Sequence, residues 1–230
     1  MKFLYLLVDF FTVLVPFLFS FHSKIKFNKN FKAFFIANVI SAIIFIIWDI
    51  LFTKLGVWGF NPDYISGIYF INLPIEEILF FVCIPFACVF TYHCLNLFFK
   101  IEWKAKTESI FVQFFSGILL ITGIYFSSKL YTASIFISLS LLLVYLKYIA
   151  KINWLPKLVM IYPLLLIPFF IVNGILTGSG LEEPVVWYNN DENLGIRLFT
   201  IPIEDIFYGF ELILLNVFVY EHFKIKWKNN

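Results

Sequence analysis

Charge is scarce in this chain. Charged residues make up 14% of its 230 residues, where about 25% is usual in a soluble domain. The charges nearly cancel: 17 basic against 15 acidic residues leave a net +2, which argues against a nucleic-acid partner. Cysteine is scarcer still. Cys83, Cys88 and Cys94 fall within one apolar segment, with no His or Cys set elsewhere to complete a metal site. That excludes a disulfide framework and leaves the thiols as helix-packing residues.

Apolar residues take the place of charge. They amount to 61% of the chain, more than one soluble core of this size can bury. At ~20 residues per transmembrane helix they suffice for roughly seven spans. The 32 Phe suit a lipid-facing or apolar-ligand protein, and equally an AT-rich genome.

Seven apolar segments are legible, at about 3–21, 33–52, 73–99, 110–127, 131–149, 156–176 and 198–220. The first is longer than a signal-peptide core, carries Asp9 and Pro16, and has no A-x-A-like site after it. It is expected to be a retained helix. Basic residues then set the direction. Thirteen of the 17 lie between spans one and two, after span three, around the connection from five to six, and in the C-terminal tail. Only Lys2, Lys54, Lys129 and Arg197 lie on the other side. The N-terminus is therefore expected outside and the C-terminus in the cytoplasm.

Two stretches repeat each other. Gly67 to Phe80 and Gly195 to Tyr208 share the pattern G-I-x4-[LI]-P-I-E-[ED]-I-[LF]-[FY]. A weaker W-x-x-N precedes each, as Trp58 with Asn61 and Trp187 with Asn190. The motifs open spans three and seven, four spans apart, so both helices run the same way. The expected fold is an all-α membrane protein of seven transmembrane helices: two parallel three-helix repeats, 1–99 and 131–230, joined by a linker at 100–130 with an extra helix.

The repeats place acids where a bilayer penalises them, at about 2.5–3.5 kcal/mol each on insertion scales. Glu76 and Glu77 follow Pro74 in the first turn of span three, and Glu204 and Asp205 follow Pro202 in span seven. Asp49, next to Trp48, and Asp9 belong to the same outer half. Glu211 lies seven residues beyond Glu204 on about the same face, ~10 Å deeper. One such motif is explained equally well by capping, with Pro at the first helical position and Glu complementing the helix dipole. Two symmetric copies favour a functional cluster, with Glu76 and Glu204 meeting across the pseudo-axis of one cavity. Two carboxylates there cannot both ionise cheaply, and a protonated carboxyl beside an ionised one is an acid–base pair.

Other features are weaker. His22, His93 and His222 read as interfacial. Trp58, Trp187 and Tyr188 suit an aromatic belt, or a roof that stabilises a cation over its rings. Asn61-Pro62-Asp63 reads as a turn, the loop with Glu182, Glu183, Asp191 and Glu192 as a solvated face, and Pro163 and Pro168 as kinks.

The doubled Pro-Ile-Glu-acid motif, with Trp48-Asp49, Gly56 to Asn61, Gly67 and Phe80-Phe81, resembles the membrane-integral lycopene cyclases of bacteria, archaea and fungi. The resemblance covers nearly the whole chain and is to the fused two-unit form. Asp49 has no twin, because Asn173-Gly174 aligns with Trp48-Asp49.

The resemblance implies redox-neutral, acid–base cyclisation of lycopene, or a related acyclic carotenoid, to β-ionone rings. No cofactor is implied, and the setting is a bilayer, the bacterial cytoplasmic membrane. Glu76 and Glu204 are then the expected central pair, with Glu77 and Asp205 as support or alternate acid, and Asp49 and Glu211 behind them. Trp48, Trp58, Phe80, Phe81 and Tyr208 are the expected substrate contacts. A flavoprotein cyclase lacks its G-x-G-x-x-G here, and a retinal protein lacks a Lys in 198–220. A small parallel-repeat transporter and a non-catalytic carotenoid-binding protein remain as alternatives. Reporter fusions at 22–32, 100–108 and the C-terminus test the direction: all three are expected to report cytoplasm, and a periplasmic signal from 22–32 overturns it.

Overall fold

A computed structural model describes residues 1–100 and 103–228, and of residues 227 and 228 the backbone alone. The expected linker and second unit thus include residues 101–102 and 229–230, which lie outside the described residues. The described residues form seven α-helices: α1 (Leu4–Phe19), α2 (Phe31–Leu55), α3 (Ile75–Phe98), α4 (Ala105–Tyr125), α5 (Leu130–Val144), α6 (Leu155–Leu176) and α7 (Ile203–Lys228). By length and composition α2, α3, α4 and α6 are long and apolar enough to cross a membrane, as is α5 together with the helical turn that continues it to Ile149. Helix α1 is apolar but has only 16 residues, and α7 carries Glu204, Asp205 and Glu211 near its start. The exposed side chains of the bundle are largely Phe, Ile and Leu, as expected where lipid replaces water.

Helix α1 packs on α3, α2 on α3 and α7, and α5 on α4 and α7; α3 and α6 close the middle. Helices α4 and α5 approach closely because Gly123 has no side chain: a Cβ there would sit 2.8 Å from Ile137.

Six short strands gather at one end of the bundle: β1 (Trp58–Phe60), β2 (Tyr69–Phe70), β3 (Leu73–Pro74), β4 (Val186–Tyr188), β5 (Arg197–Leu198) and β6 (Ile201–Pro202). The repeated motif is the sequence of one hairpin and the helix it feeds. β2 pairs antiparallel with β3, and β5 with β6, in the same register. Gly67 (φ 88°) and Gly195 (φ 70°) occupy the left-handed region at corresponding places, where glycine pays no steric penalty. The two-residue turns place Ile71 (φ 60°) and Phe199 (φ 58°) in the same region. A positive φ at the first turn residue matches the twist of a hairpin. Ile75 N–H then donates to Ile68 O, and Ile203 N–H to Ile196 O.

This geometry removes the capping-box part of the capping alternative at α3, while Glu76 and Glu77 stay in its first turn, where they complement the helix dipole. The prolines are strand residues, and α3 begins at Ile75 with Pro74 as its N-cap. Proline has no N–H for a first-turn glutamate to bond, so no capping box forms there.

Gly56, at φ 74°, ends α2, and Val57 N–H reaches back to Phe52 O. This left-handed stop folds Trp58 back toward Asp49. Strand β1 then pairs with β4 from the other repeat, Gly59 opposite Trp187. A Cβ on Gly59 would lie 2.4 Å from the Trp187 ring, so the strands meet closely only because that position is glycine. Trp58 is 6% exposed, a buried roof residue rather than a belt residue; Trp187, 44% exposed, lies against Gly59. His93, near the end of α3, is buried, with Nε2 3.0 Å from Ile25 O in the connection between α1 and α2.

Gly59→Ala is expected to displace the Trp187 ring and cost about 1–3 kcal/mol, read as a lower thermal midpoint in detergent. In a Trp187→Ala background the same change is expected to cost little, because the obstructing ring is gone. Equal losses in both backgrounds would place the constraint elsewhere.

Candidate active site

The acids of both repeats are almost wholly buried: Glu76 and Glu204 at 0% exposure, Asp49 at 1%, Asp205 at 3% and Glu77 at 8%. Adjacent helical residues point about 100° apart, so each first-turn pair divides between two directions. Glu76 and Glu204 turn toward their own loops. Glu76 Oε1 accepts from Ser66 N–H at 2.7 Å, and Glu204 Oε1 from Leu194 N–H at 2.8 Å and Thr132 Oγ1 at 2.6 Å. Each clamps the loop ahead of its hairpin to its helix. Neither lines the cavity in which their pairing was expected.

Their neighbours do line it. A cavity of about 370 Å³ lies between α1, α3, α6 and α7 beneath β1 and β4, and Glu77, Asp205 and Asp49 are all in its wall. Because the first turns of α3 and α7 face the same cavity, both helices start at the same end of the bundle.

Each of these carboxyls is held by donors from another element. Tyr5 of α1 donates to Glu77 Oε2 at 2.5 Å. Tyr131 of α5 donates to Asp205 Oδ1 at 2.7 Å, the same contact made by the second repeat. Asp205 Oδ2 also accepts from Tyr188 at 2.9 Å. Burial, then the Asp205 charge, pushes the Tyr188 hydroxyl well above the ordinary tyrosine range, so it stays a donor. Asp49 Oδ1 accepts from the Trp58 indole N–H and from Thr53 Oγ1, while its Oδ2 is buried without a partner.

The aromatic surroundings are dense. Trp58 lies edge-on to Tyr131 with centroids 5.1 Å apart, and Tyr131 stacks on Tyr188 at 6.0 Å. Tyr208 lies 6.3 Å from Trp58 and 6.2 Å from Tyr131. These faces offer π density to a cation in a site that excludes water.

Of the expected substrate contacts, Trp58, Phe80 and Tyr208 line the cavity. Trp48 and Phe81 lie behind it, packed with Phe45. Glu211 is also outside, accepting from Ser138 Oγ at 2.8 Å between α5 and α7. Asp9, 1% exposed, has no hydrogen-bond partner on either oxygen and likewise stands outside the lining. The reading of the sequence missed Tyr5, Tyr131 and Tyr188. A signal existed for two: Leu4-Tyr5 and Leu130-Tyr131 stand 72 and 74 residues ahead of the acids they bind, tyrosine to carboxylate.

The family model for lycopene cyclase matches residues 2–95 and again 128–223. The chain belongs to the lycopene cyclase family. The two matched segments coincide with the two copies of the hairpin, acid pair and tyrosine. Membership makes this an enzyme that cyclises lycopene, with a carotenoid substrate. Comparison with curated proteins and with solved structures gave no match.

The two kinds of acid separate by mutation. Glu77→Gln and Asp205→Asn are expected to lower kcat/KM by a factor on the order of 10²–10⁴, the usual contribution of general acid–base catalysis. Glu76→Gln and Glu204→Gln keep an oxygen for the loop amide and are expected to stay within about tenfold. Glu76→Ala and Glu204→Ala, which remove that acceptor, are expected to cost about 1–3 kcal/mol of stability. Steady-state assay and thermal unfolding of the same preparations check both; loss of activity in Glu76→Gln with Glu77→Gln unaffected would reverse the assignment.

Proposed function

We propose that the protein closes the acyclic ends of lycopene into β-ionone rings without net oxidation, and that Glu77 and Asp205 carry the proton transfers. The observation behind this reading is the convergence of Glu77, Asp205 and Asp49 in one largely apolar cavity ringed by Trp58, Tyr131, Tyr188 and Tyr208.

Glu77 accepts from Tyr5 on Oε2. Its other oxygen is left to present a proton to the cavity. Protonation of the terminal alkene gives a tertiary cation. The neighbouring double bond attacks that carbon, the six-membered ring closes, and the positive charge moves to the far carbon of the attacking bond. Loss of a proton from the carbon that closed the ring gives the β double bond; loss from the next ring carbon gives the ε isomer. Asp205, which accepts from two tyrosines, has the acceptor-only pattern of an ionised carboxylate. It balances the cation and takes the departing proton. One proton enters and one leaves, so no redox cofactor is required. Asp49, tied to the Trp58 indole, orients the roof ring over the cation and adds negative charge beneath it. Such fixed groups, aimed where charge develops, are the main source of rate in a water-excluded site.

The membrane arrangement that accompanies this function is seven spans in two parallel three-helix repeats, with α4 as the linker. Helix α1, at 16 residues, is ~24 Å long; it and α7 pack with the five longer spans as one bundle. The common starting end of α3 and α7 supports parallel repeats. The distribution of basic residues supports a hairpin end outside and a C-terminus in the cytoplasm, an orientation that puts the acids in the outer half of the bilayer.

Purified protein with lycopene in liposomes, without flavin or nicotinamide, is expected to yield β-ring carotenes. In heavy water the product is expected to gain deuterium at the ring carbon derived from the protonated alkene carbon. An absolute requirement for a redox cofactor, or no cyclic product from folded protein, would defeat the proposal.

A further inference from the structure

The acid cavity has to be reached by an apolar polyene, and the exposure of its wall marks the way in. Of the residues lining it, only Phe11 on α1 and Pro168 on α6 belong to the exposed class; the rest are buried or half-buried. Phe11 is 63% exposed. The hairpin end is closed over the acids by the paired strands β1 and β4, with Trp58 and Val186 buried beneath. Helices α1 and α6 touch sparsely, each being held mainly by α3. The flanking surface is apolar on both helices: Phe10 and Val15 on α1, Leu164, Ile167 and Ile171 on α6, all exposed.

We infer that the gap between α1 and α6 at Phe11 and Pro168 is a lateral mouth through which one acyclic end of a polyene enters from the lipid while the far end stays outside. The inference rests on the cavity being the cyclisation site. Its chemistry fits a hydrocarbon rather than a polar solute, because Phe and Pro form the lips and the neighbouring positions face lipid. Position along the helix fits as well. Phe11 lies six residues past Tyr5, so the mouth opens ~9 Å from the level at which Tyr5 binds Glu77. Below it the cavity continues along α3 to Thr91, ~21 Å from Glu77. That reach is shorter than an extended forty-carbon polyene, so the far end of the substrate stays outside.

The substrate class follows. A polyene needs one unmodified acyclic end, and the group at its other end is not inspected. A product with one ring must withdraw and turn round before its second end can react, so the monocyclic carotene is released into the membrane between the two closures.

Two measurements test this. In a background with Cys83, Cys88 and Cys94 replaced by Ala, the pairs F11C/P168C and F11C/F169C are bridged with a reducible bifunctional thiol reagent. Each variant's own turnover before bridging is the reference. Bridging is expected to lower turnover at least about tenfold, and reduction to restore it; a bridged protein that turns over as before overturns the mouth.

The second measurement uses the unmodified protein and a polyene with one acyclic end and a bulky polar group on the other. Conversion at a rate within about tenfold of lycopene supports the inference. Failure to convert it while lycopene is cyclised overturns the inference, even if the cysteine variants do not fold. Failure to cyclise lycopene at all is a different result, and defeats the functional reading instead.

Discussion

A carboxyl group in an apolar interior must find donors or give up its charge, and the architecture around these acids answers that demand. Four acids occupy the first turns of two helices. Two of them, Glu76 and Glu204, take a backbone N–H from the loop just before their hairpins. That contact fixes the loop, and the loop carries the glycine and the turn that aim the helix. The other two, Glu77 and Asp205, take a tyrosine from the first helix of their own repeat. Those contacts tie α1 to α3 and α5 to α7. The same bonds that satisfy the acids thus pin one helix pair in each repeated segment, while α2 packs on both α3 and α7.

The two units are then joined where the same logic is weakest. Strands β1 and β4 pair across the interface at Gly59 and Trp187, which lets the backbones approach and brings the Trp58 indole onto Asp49. The roof is therefore both an inter-repeat contact and a donor to the third acid. Moving Trp58 would loosen the two halves and leave Asp49 without its main donor, so the site and the interface share one set of residues.

Much of this was legible in the sequence because the repeat is physical before it is functional. The seven apolar segments and the doubled glycine–proline–acid motif leave residue-level traces at fixed spacing, whereas the hairpin that the motif forms was not read from an all-α expectation. The choice within each acid pair was not legible. Sequence spacing says that positions 76 and 77 diverge by about 100°, but not which of them faces the neighbouring repeat. That depends on how α1 and α5 pack, and so on Tyr5 and Tyr131, single residues in otherwise featureless apolar helices. The roof was ambiguous for a similar reason. An exposed belt tryptophan and a buried roof tryptophan have the same local sequence, and only the pairing of β1 with β4, 128 positions apart at Gly59 and Trp187, separates them.

The departures from symmetry carry the chemistry. A perfectly doubled site would offer two identical carboxyls, whereas proton donation followed by proton removal needs two unlike ones. The W-x-x-N echoes align Trp58 with Trp187, and the next residues differ: Gly59 in one unit, Tyr188 in the other. Tyr188 gives Asp205 a second hydroxyl donor, while the glycine has no hydroxyl to offer Glu77. Asp49 sits in the wall, and the Trp58–Trp187 alignment gives the other repeat Gly178 at that position. Glu211 has Cys83 as its counterpart and accepts from Ser138, outside the cavity. In the proposed reaction the shared frame holds both carboxyls at one depth, and these few unpaired differences set the proton donor apart from the acceptor.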